Sequence, residues 1–315
     1  MSNLAMPEGV TLIESLAVGN QLGEGIIWDA RQQCAFWTDI LGKHFYRWNW
    51  NGEIVHYPCP ERLCSFGLTS ELNWFIAAFE SGFAFFNPVD QQVQWLNKVE
   101  ADLPYTRMND GKVDRQGRFW AGSMIEDENI AVDTLAIEKQ AKLYRLEDDG
   151  QPHVIFTGIA ISNGLSWSPD SKTLYFADSA KQCVWRSDFN VSSAEPSTRK
   201  ILFNTDKTAF PDGSCIDKQG YLWNAQWGSA CVRRYSPSGK LDITLPIECQ
   251  QPSCVSFGGP NLNHLLVTSA ADGLPSHNSE LHKNNGAVFI YQTPFQGIAE
   301  PICTVPKRQQ PLLSL

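Results

Sequence analysis

The sequence predicts an all-β protein, a six-bladed β-propeller, and three observations support this. Short runs of aromatic and β-branched residues alternate with Gly, Pro, Asn and Asp, while helical periodicity is nearly absent. One pattern, a Gly followed by an apolar strand, a polar turn and an aromatic strand, recurs six times, with Cys in place of Gly in the last copy and two of the copies degenerate. Polar residues also recur at one position of this pattern, as expected when repeats surround a common axis.

The strand-like runs are spread over the whole chain without a linker or a shift in composition. The best helical candidate, 133–141, has only a weak pattern. We therefore expect residues 1–315 to form a single propeller domain. The clearest predicted strands are 34–39, 74–79, 83–87, 143–146, 173–177, 221–225, 264–268 and 287–291.

The repeat is clearest when 25–39 is compared with 164–178. Both segments begin with Gly, place Trp three residues later, and end with Asp eleven residues after the Trp. Successive repeats are 41 to 53 residues apart, a length that fits a four-stranded blade with its turns. We also predict that a strand at 10–16 pairs with the last blade and closes the ring. The six repeat markers are Gly25, Gly67, Gly111, Gly164, Gly213 and Cys254.

One position of the repeat carries polar side chains in five blades. It lies four residues before the apolar residue of the inner strand, and we call it the slot. Because blades are related by rotation, side chains at equivalent positions should meet near one mouth of the central channel. The slot residues are Glu24, Asn109, Asn163, Asp212 and Ser253.

Three slot residues, Glu24, Asn163 and Asp212, supply two carboxylates and one amide oxygen. Two carboxylates near an axis repel each other unless a proton or a cation compensates their charge. Hard oxygen ligands suit calcium, magnesium or manganese, and zinc also binds carboxylates. The structural alternative is that these residues only cap turns, since Asp212 also begins an Asp-Gly turn dipeptide.

Arg107 lies two residues before Asn109, so strand alternation places both side chains on the same face. Beside a metal, this pair could orient the hydroxyl or carboxylate groups of a substrate. The alternative for Arg107 is an ordinary surface salt bridge.

Composition excludes several classes of protein. With 43% hydrophobic residues the chain can build a core, and a net charge of −9 makes nucleic acid an unexpected partner. No apolar run approaches the length of a membrane helix, and the N-terminus lacks a basic start and an apolar core, so we expect a cytoplasmic protein and no membrane partner. The nine cysteines show no close metal-binding pairs and are predicted to be small buried side chains.

Four sets of segments resemble the SMP-30/gluconolactonase/LRE family, which includes regucalcin-like proteins and bacterial sugar lactonases. They are 23–28 (GEGIIW), 107–114 with 117–124, 162–170 (SNGLSWSPD), and 211–213 with 220–225. The resemblance implies a six-bladed propeller with one divalent metal, most simply calcium, in its channel. It implies metal ligation by Glu24, Asn163 and Asp212.

The resemblance also implies the reaction, which is hydrolysis of a gluconolactone-type aldonolactone. Asp212 would then be the catalytic carboxylate, and Arg107 and Asn109 would contact the substrate. An acidic substrate contact is implied near the end of 122–128, where Asp127 is the best match and Glu126 is adjacent. Regucalcin-like members carry Glu at this place.

Other functions remain open at the level of sequence. A propeller esterase or phosphotriesterase would need an apolar pocket. A non-enzymatic calcium-binding protein would keep the metal ligands but would not need Arg107 and Asn109, and a scaffold would not need a carboxylate-lined channel. Neither a GxSxG nor an HExxH motif is present. Candidate rim loops are 60–65, 125–133 and 271–285, and the last contains His277 and His282, which are expected to be exposed.

Overall fold

The strands form six antiparallel sheets, which we name blades A to F. The computed structural model describes residues 5–127, 129–274 and 284–308. The first strand of each blade carries one of the six repeat markers, and first strands of neighbouring blades contact each other in a closed cycle from A to F and back to A. These first strands therefore surround the central axis, and the predicted six-bladed propeller is confirmed.

In blades A to E the strands follow one another in sequence order, starting at the axis. Blade A contains β2 (Gly23–Asp29), β3 (Cys34–Asp39), β4 (His44–Asn49) and β5 (Ile54–Pro58). Blade B contains β6 (Leu63–Leu68), β7 (Phe75–Phe79), β8 (Gly82–Asn87) and β9 (Gln92–Lys98). Blade C contains β10 (Thr106–Val113), β11 (Phe119–Ile125), β12 (Ala141–Leu146) and β13 (Pro152–Ile159).

The remaining blades follow the same plan, with a short extra strand in blade D. Blade D contains β14 (Ser162–Trp167), β15 (Thr173–Asp178), β16 (Cys183–Asn190), β17 (Glu195–Pro196) and β18 (Lys200–Asn204). Blade E contains β19 (Phe210–Ile216), β20 (Leu222–Trp227), β21 (Cys231–Tyr235) and β22 (Leu241–Pro246). Blade F contains β23 (Pro252–Gly258), β24 (His264–Ser269), β25 (Val288–Gln292) and the N-terminal strand β1 (Thr11–Leu16).

The ring is closed by the two ends of the chain. Strand β1 pairs antiparallel with β25, from Thr11 opposite Gln292 to Leu16 opposite Val288. Blade F thus takes three strands from the end of the chain and one from its beginning. The predicted closing strand is confirmed.

A buried Asp holds the hairpin of blade C, and blade E repeats the arrangement. Asp114 accepts hydrogen bonds from the backbone N–H of Gln116 at 2.9 Å and from Trp120 Nε1 at 3.0 Å. In blade E, Asp217 accepts from Gln219 N at 2.9 Å and from Trp223 Nε1 at 3.0 Å. One carboxylate therefore closes the turn and satisfies the buried indole beside it, which explains the Asp and Trp shared by these repeats.

Two smaller expectations have different outcomes. All nine cysteines are free and buried, as predicted. The weak helical pattern at 133–141 does not form an α-helix. The chain instead forms two short 3-10 helices, Val132–Thr134 and Ile137–Lys139, before strand β12 begins. Within the described residues, no helix has the length and apolar character needed to cross a membrane.

Candidate active site

The inner strands share an irregularity at the slot. In five blades, the register between the first and second strands shifts at the slot. In blades A and D the shift follows the slot residue itself, and in blades C, E and F it follows the residue before it. Such bulges bend a strand and redirect its side chains. After Glu24 and Asn163 the bulge contains a glycine with positive φ, 62° at Gly25 and 64° at Gly164. The repeated Gly thus lets the strand bend where its polar side chain turns toward the channel.

Four of the five slot side chains meet in one cavity of about 450 Å³. They are Glu24, Asn109, Asn163 and Asp212, and Arg107 lines the same cavity. The fifth, Ser253, is fully buried and bonds to the carbonyl of Gly23 instead. The other lining residues are Leu22, Met124, Ile161, Ser179, Phe210, Trp227 and Asp272.

A chain of hydrogen bonds crosses blades C, D and E and fixes the amides. Arg107 Nη1 donates to Asn109 Oδ1 at 2.9 Å, and Asn109 Nδ2 donates to Asn163 Oδ1 at 3.1 Å. Asn163 Nδ2 in turn donates to Ser179 Oγ at 2.7 Å, and Ser179 Oγ donates to the carbonyl of Pro211 at 2.7 Å. The bond from Nδ2 to Ser179 fixes the orientation of the Asn163 amide, and the hydrogen bond from Asn109 uses one of the two lone pairs of Oδ1, which leaves the other for a ligand.

Ser179 was not singled out by the sequence analysis. It directly follows Asp178, the residue that ends the second strand of the repeat, so only its position beside a repeated Asp could have indicated it.

The two slot carboxyls, Glu24 and Asp212, are buried against each other and form a hydrogen-bonded pair when one is protonated. Burial, and then the charge of Asp110, raises the pKa of Glu24 to about 8. Burial, followed by the charges of Glu24 and Asp110, raises the pKa of Asp212 well above its ordinary value. Without a cation, this pair therefore retains protons at neutral pH.

This donor set fits a divalent cation. Two carboxylates and an amide oxygen are hard ligands, and a doubly charged ion would balance the charge that burial makes unfavourable. Among the described residues, no three side chains of the His, Cys, Asp or Glu types come together to hold a metal. Asn163, which lines the same cavity as Glu24 and Asp212, offers a third oxygen donor.

The structure separates the two acidic residues considered as substrate contacts. Glu126 Oε1 accepts a hydrogen bond from Arg107 Nε at 3.0 Å, and its carboxylate also binds Arg62, with Nη1 to Oε1 at 2.6 Å. Asp127 is exposed, does not line the 450 Å³ cavity, and accepts hydrogen bonds at 2.9 Å from the N and Nδ2 of Asn129. Glu126 is therefore the acid connected to the site, through Arg107.

The candidate rim loops contribute unequally. The 60–65 loop supplies Arg62, a residue that the sequence analysis did not select. From the described part of 271–285, Asp272 lines the cavity, and its carbonyl accepts a hydrogen bond from Gln251 Nε2 at 3.0 Å. His277 and His282 lie outside the described residues.

The family model for the SMP-30/gluconolactonase/LRE-like region matches residues 22–271. The chain belongs to this family. The resemblance inferred from the sequence segments is thereby confirmed, and the matched region contains every candidate site residue.

Named relatives agree with this assignment. An L-arabinolactonase of Azospirillum brasilense is 34% identical over 282 residues, which are 89% of this chain and 91% of that protein. A 6-deoxy-6-sulfogluconolactonase of Pseudomonas putida is 30% identical over 284 residues, 89% of this chain and 94% of that protein. The crystal structure of a calcium-binding protein, regucalcin, from Agrobacterium tumefaciens has the same fold, with a TM-score of 0.84, 24% identity, and coverage of 93% of this chain and 97% of that one.

Proposed function

We propose that this protein is a metal-dependent sugar lactonase, which opens an aldonolactone to the aldonic acid. The observation that supports this is the meeting of Glu24, Asn163 and Asp212 with Arg107 and Asn109 in one cavity. A non-enzymatic metal-binding protein would need neither Arg107 nor Asn109 beside the ligands, and a scaffold would not need the carboxylates. The lactonase relatives support the same type of reaction.

Glu24, Asn163 and Asp212 would hold one divalent cation. Calcium suits this set of hard oxygen donors best, and magnesium, manganese or zinc could replace it. When bound, the cation would polarise the lactone carbonyl as a Lewis acid and lower the pKa of a water molecule.

Asp212 would move the proton that the reaction transfers. Its carboxylate accepts a proton from the attacking water as the water oxygen bonds to the carbonyl carbon. The bond between that carbon and the ring oxygen then breaks, and Asp212 returns the proton to the ring oxygen. One water is added, the ring oxygen becomes a hydroxyl group, and Asp212 ends as it began.

Arg107 and Asn109 would orient the sugar. Arg107 is buried, and its guanidinium is held by Glu126 at Nε and by Asn109 and the carbonyl of Met108 at Nη1. A donor fixed in this way loses little freedom when it binds a hydroxyl or the developing oxyanion. Asp127 would touch only a substrate that extends out of the cavity toward Tyr105 and Ile130, which lie beside it.

A second candidate, a propeller esterase for less polar substrates, is favoured by one observation. The cavity includes large apolar side chains, among them Phe210 and Trp227. Such a wall could hold an aryl or alkyl leaving group.

The test is hydrolysis measured by pH drop, after chelation and after adding back calcium, magnesium, manganese or zinc. Aldonolactones and aryl esters are compared with the wild type, with Asp212→Asn, and with Asp188→Asn as a matched control. Asp188 has 72% of its side chain exposed on an outer strand. We expect metal-dependent opening of aldonolactones that Asp212→Asn loses and Asp188→Asn keeps. Faster cleavage of aryl esters would favour the esterase, and activity in Asp212→Asn without bound metal would exclude this mechanism.

A further inference from the structure

A second set of side chains lines the cavity two residues before the slot. Leu22, Arg107, Ile161 and Phe210 precede Glu24, Asn109, Asn163 and Asp212 by two positions, and all of them line the cavity. In a strand, residues two apart lie on the same face and about 7 Å apart along the chain. Arg107 and Phe210 lie within their inner strands, and Leu22 and Ile161 immediately precede theirs in extended bridges, so the repeat that builds the polar slot also builds a second ring beside it.

This second ring is apolar in three of its four members. Phe210 lies directly opposite Trp227 across strands β19 and β20, and Ile161 forms a bridge to Met124. Both of these partners also line the cavity. We call the set Leu22, Met124, Ile161, Phe210 and Trp227 the apolar collar.

The charges near the collar disfavour an anion. Among the described residues that line the cavity, Arg107 is the only cation, and it is paired with Glu126 at 3.0 Å. Arg62 shares Glu126 and is also paired with Glu80, so the two cations are matched by two carboxylates. Asp272 lines the cavity as well and is exposed. A negative group placed against the collar would lose water, would meet apolar side chains, and would gain no unpaired positive charge.

We infer that the apolar collar selects lactones whose exocyclic end is uncharged and excludes those that carry a carboxylate, sulfonate or phosphate there. This inference rests on the proposed lactonase function. With the reacting carbonyl at the slot, the far end of a sugar lactone reaches the level of the collar. The C–H faces of a sugar can pack on Phe210 and Trp227, while Arg107 serves its hydroxyl groups.

The test compares kcat/KM for L-arabinonolactone and D-gluconolactone with that for 6-deoxy-6-sulfogluconolactone, at saturating metal. We expect the wild type to prefer the neutral lactones by at least about tenfold. Phe210→Lys, which places a cation in the collar at a side chain that is 38% exposed, should shift this preference toward the sulfonate by at least about tenfold. Phe210→Met, of similar length and uncharged, should not.

Leu22→Lys and Leu22→Met form a second pair, in case the Phe210 variants fold poorly. Metal affinity is titrated separately for all four variants and rates are compared at saturating metal, because a lysine in the collar should weaken the binding of a cation at the slot. A wild type that opens the sulfonated lactone as well as the neutral ones would overturn the inference. An equal shift in the Lys and Met variants of a pair would also overturn it, because charge would then not be the cause.

A binding measurement separates this inference from the proposed reaction. A neutral 1,5-anhydroalditol, which lacks the reacting carbonyl, and the corresponding anhydro-uronate are titrated calorimetrically into the metal-loaded protein. Tighter binding of the neutral compound without turnover of any lactone would refute the lactonase and support the collar. Turnover of lactones with equal binding of both compounds would support the lactonase and overturn the inference about the collar.

Discussion

Metal binding should release protons, because the Glu24 and Asp212 carboxyls cannot both be ionised in the metal-free cavity. The pKa of Glu24 is raised to about 8, so at pH 7 this group is about 0.9 protonated. Asp212, whose pKa is also raised well above its ordinary value, contributes further. A cation bound between them requires both carboxylates. We therefore expect calcium to displace between about one and two protons at pH 7.

The sign and the size of the effect both depend on pH. Below pH 8, each displaced proton makes the apparent association constant rise about tenfold per pH unit. At pH 9 the Glu24 carboxyl is only about 0.1 protonated, given its pKa of about 8, so the release should fall by about 0.8 proton. The comparison of pH 7 with pH 9 is therefore an internal control that needs no variant.

The assay is isothermal titration of the chelator-treated protein with calcium, in pairs of buffers with different ionisation enthalpies. The dependence of the observed heat on the buffer gives the number of protons released. A heat that is the same in both buffers at pH 7, together with an affinity that is flat from pH 6 to pH 8, would refute the reasoning. Both carboxylates would then be ionised before the metal arrives.

Three further outcomes follow from buried charges and thiols. The pKa of Glu24 is about 8 in the folded protein and near 4.5 in the unfolded chain, so between these pH values the folded state holds one more proton. Urea titration of the metal-free protein should therefore show the free energy of unfolding falling by about 1.4 kcal/mol per pH unit from pH 4.5 to pH 8. Saturating calcium should remove this slope. Asp217→Ala should cost about 3–5 kcal/mol in the same assay, because Arg234 and Trp223 Nε1 lose their buried partner, while Asp188→Ala should change stability little. All nine thiols are buried with raised pKa values, so fewer than about one per chain should react with Ellman's reagent before unfolding.

The repeat made much of the architecture predictable, because symmetry converts a position in the sequence into a position in space. All six markers fall on inner strands, and the slot residues Glu24, Asn109, Asn163 and Asp212 meet in one cavity. Ser253 shares the slot but not the cavity, since its short side chain is satisfied by backbone in blade A. An equivalent position in the repeat thus predicts the direction in which a side chain points. The length of that side chain and its hydrogen-bond partners decide whether it reaches the cavity.

The loops were less predictable because the repeat does not define their paths. After strand β11 ends, the N–H of Glu126 still bonds to the carbonyl of Tyr105 at 2.9 Å, so the chain continues for one more residue beside the strand that carries Arg107. Asp127 then uses its carboxylate to close a turn with Asn129. The sequence alone could not show which of the adjacent acids, Glu126 or Asp127, is connected to the site, because this backbone hydrogen bond sets the path of the chain there.

The candidate metal ligands come from blades on either side of the blade that closes the ring, which links ring closure to the charge balance of the site. Glu24 belongs to blade A and Asp212 to blade E, and blade F, completed by strand β1, lies between them. The contact of Ser253 with Gly23 and the bridge between Leu22 and Ala270 join blades F and A at the level of the site. The two carboxylates are therefore brought together by the contacts that join blades E, F and A. Without a cation, burial together forces this pair to keep a proton, at a cost to stability that grows as pH rises, so a cation bound between them would stabilise the closed propeller as well as supply the chemistry.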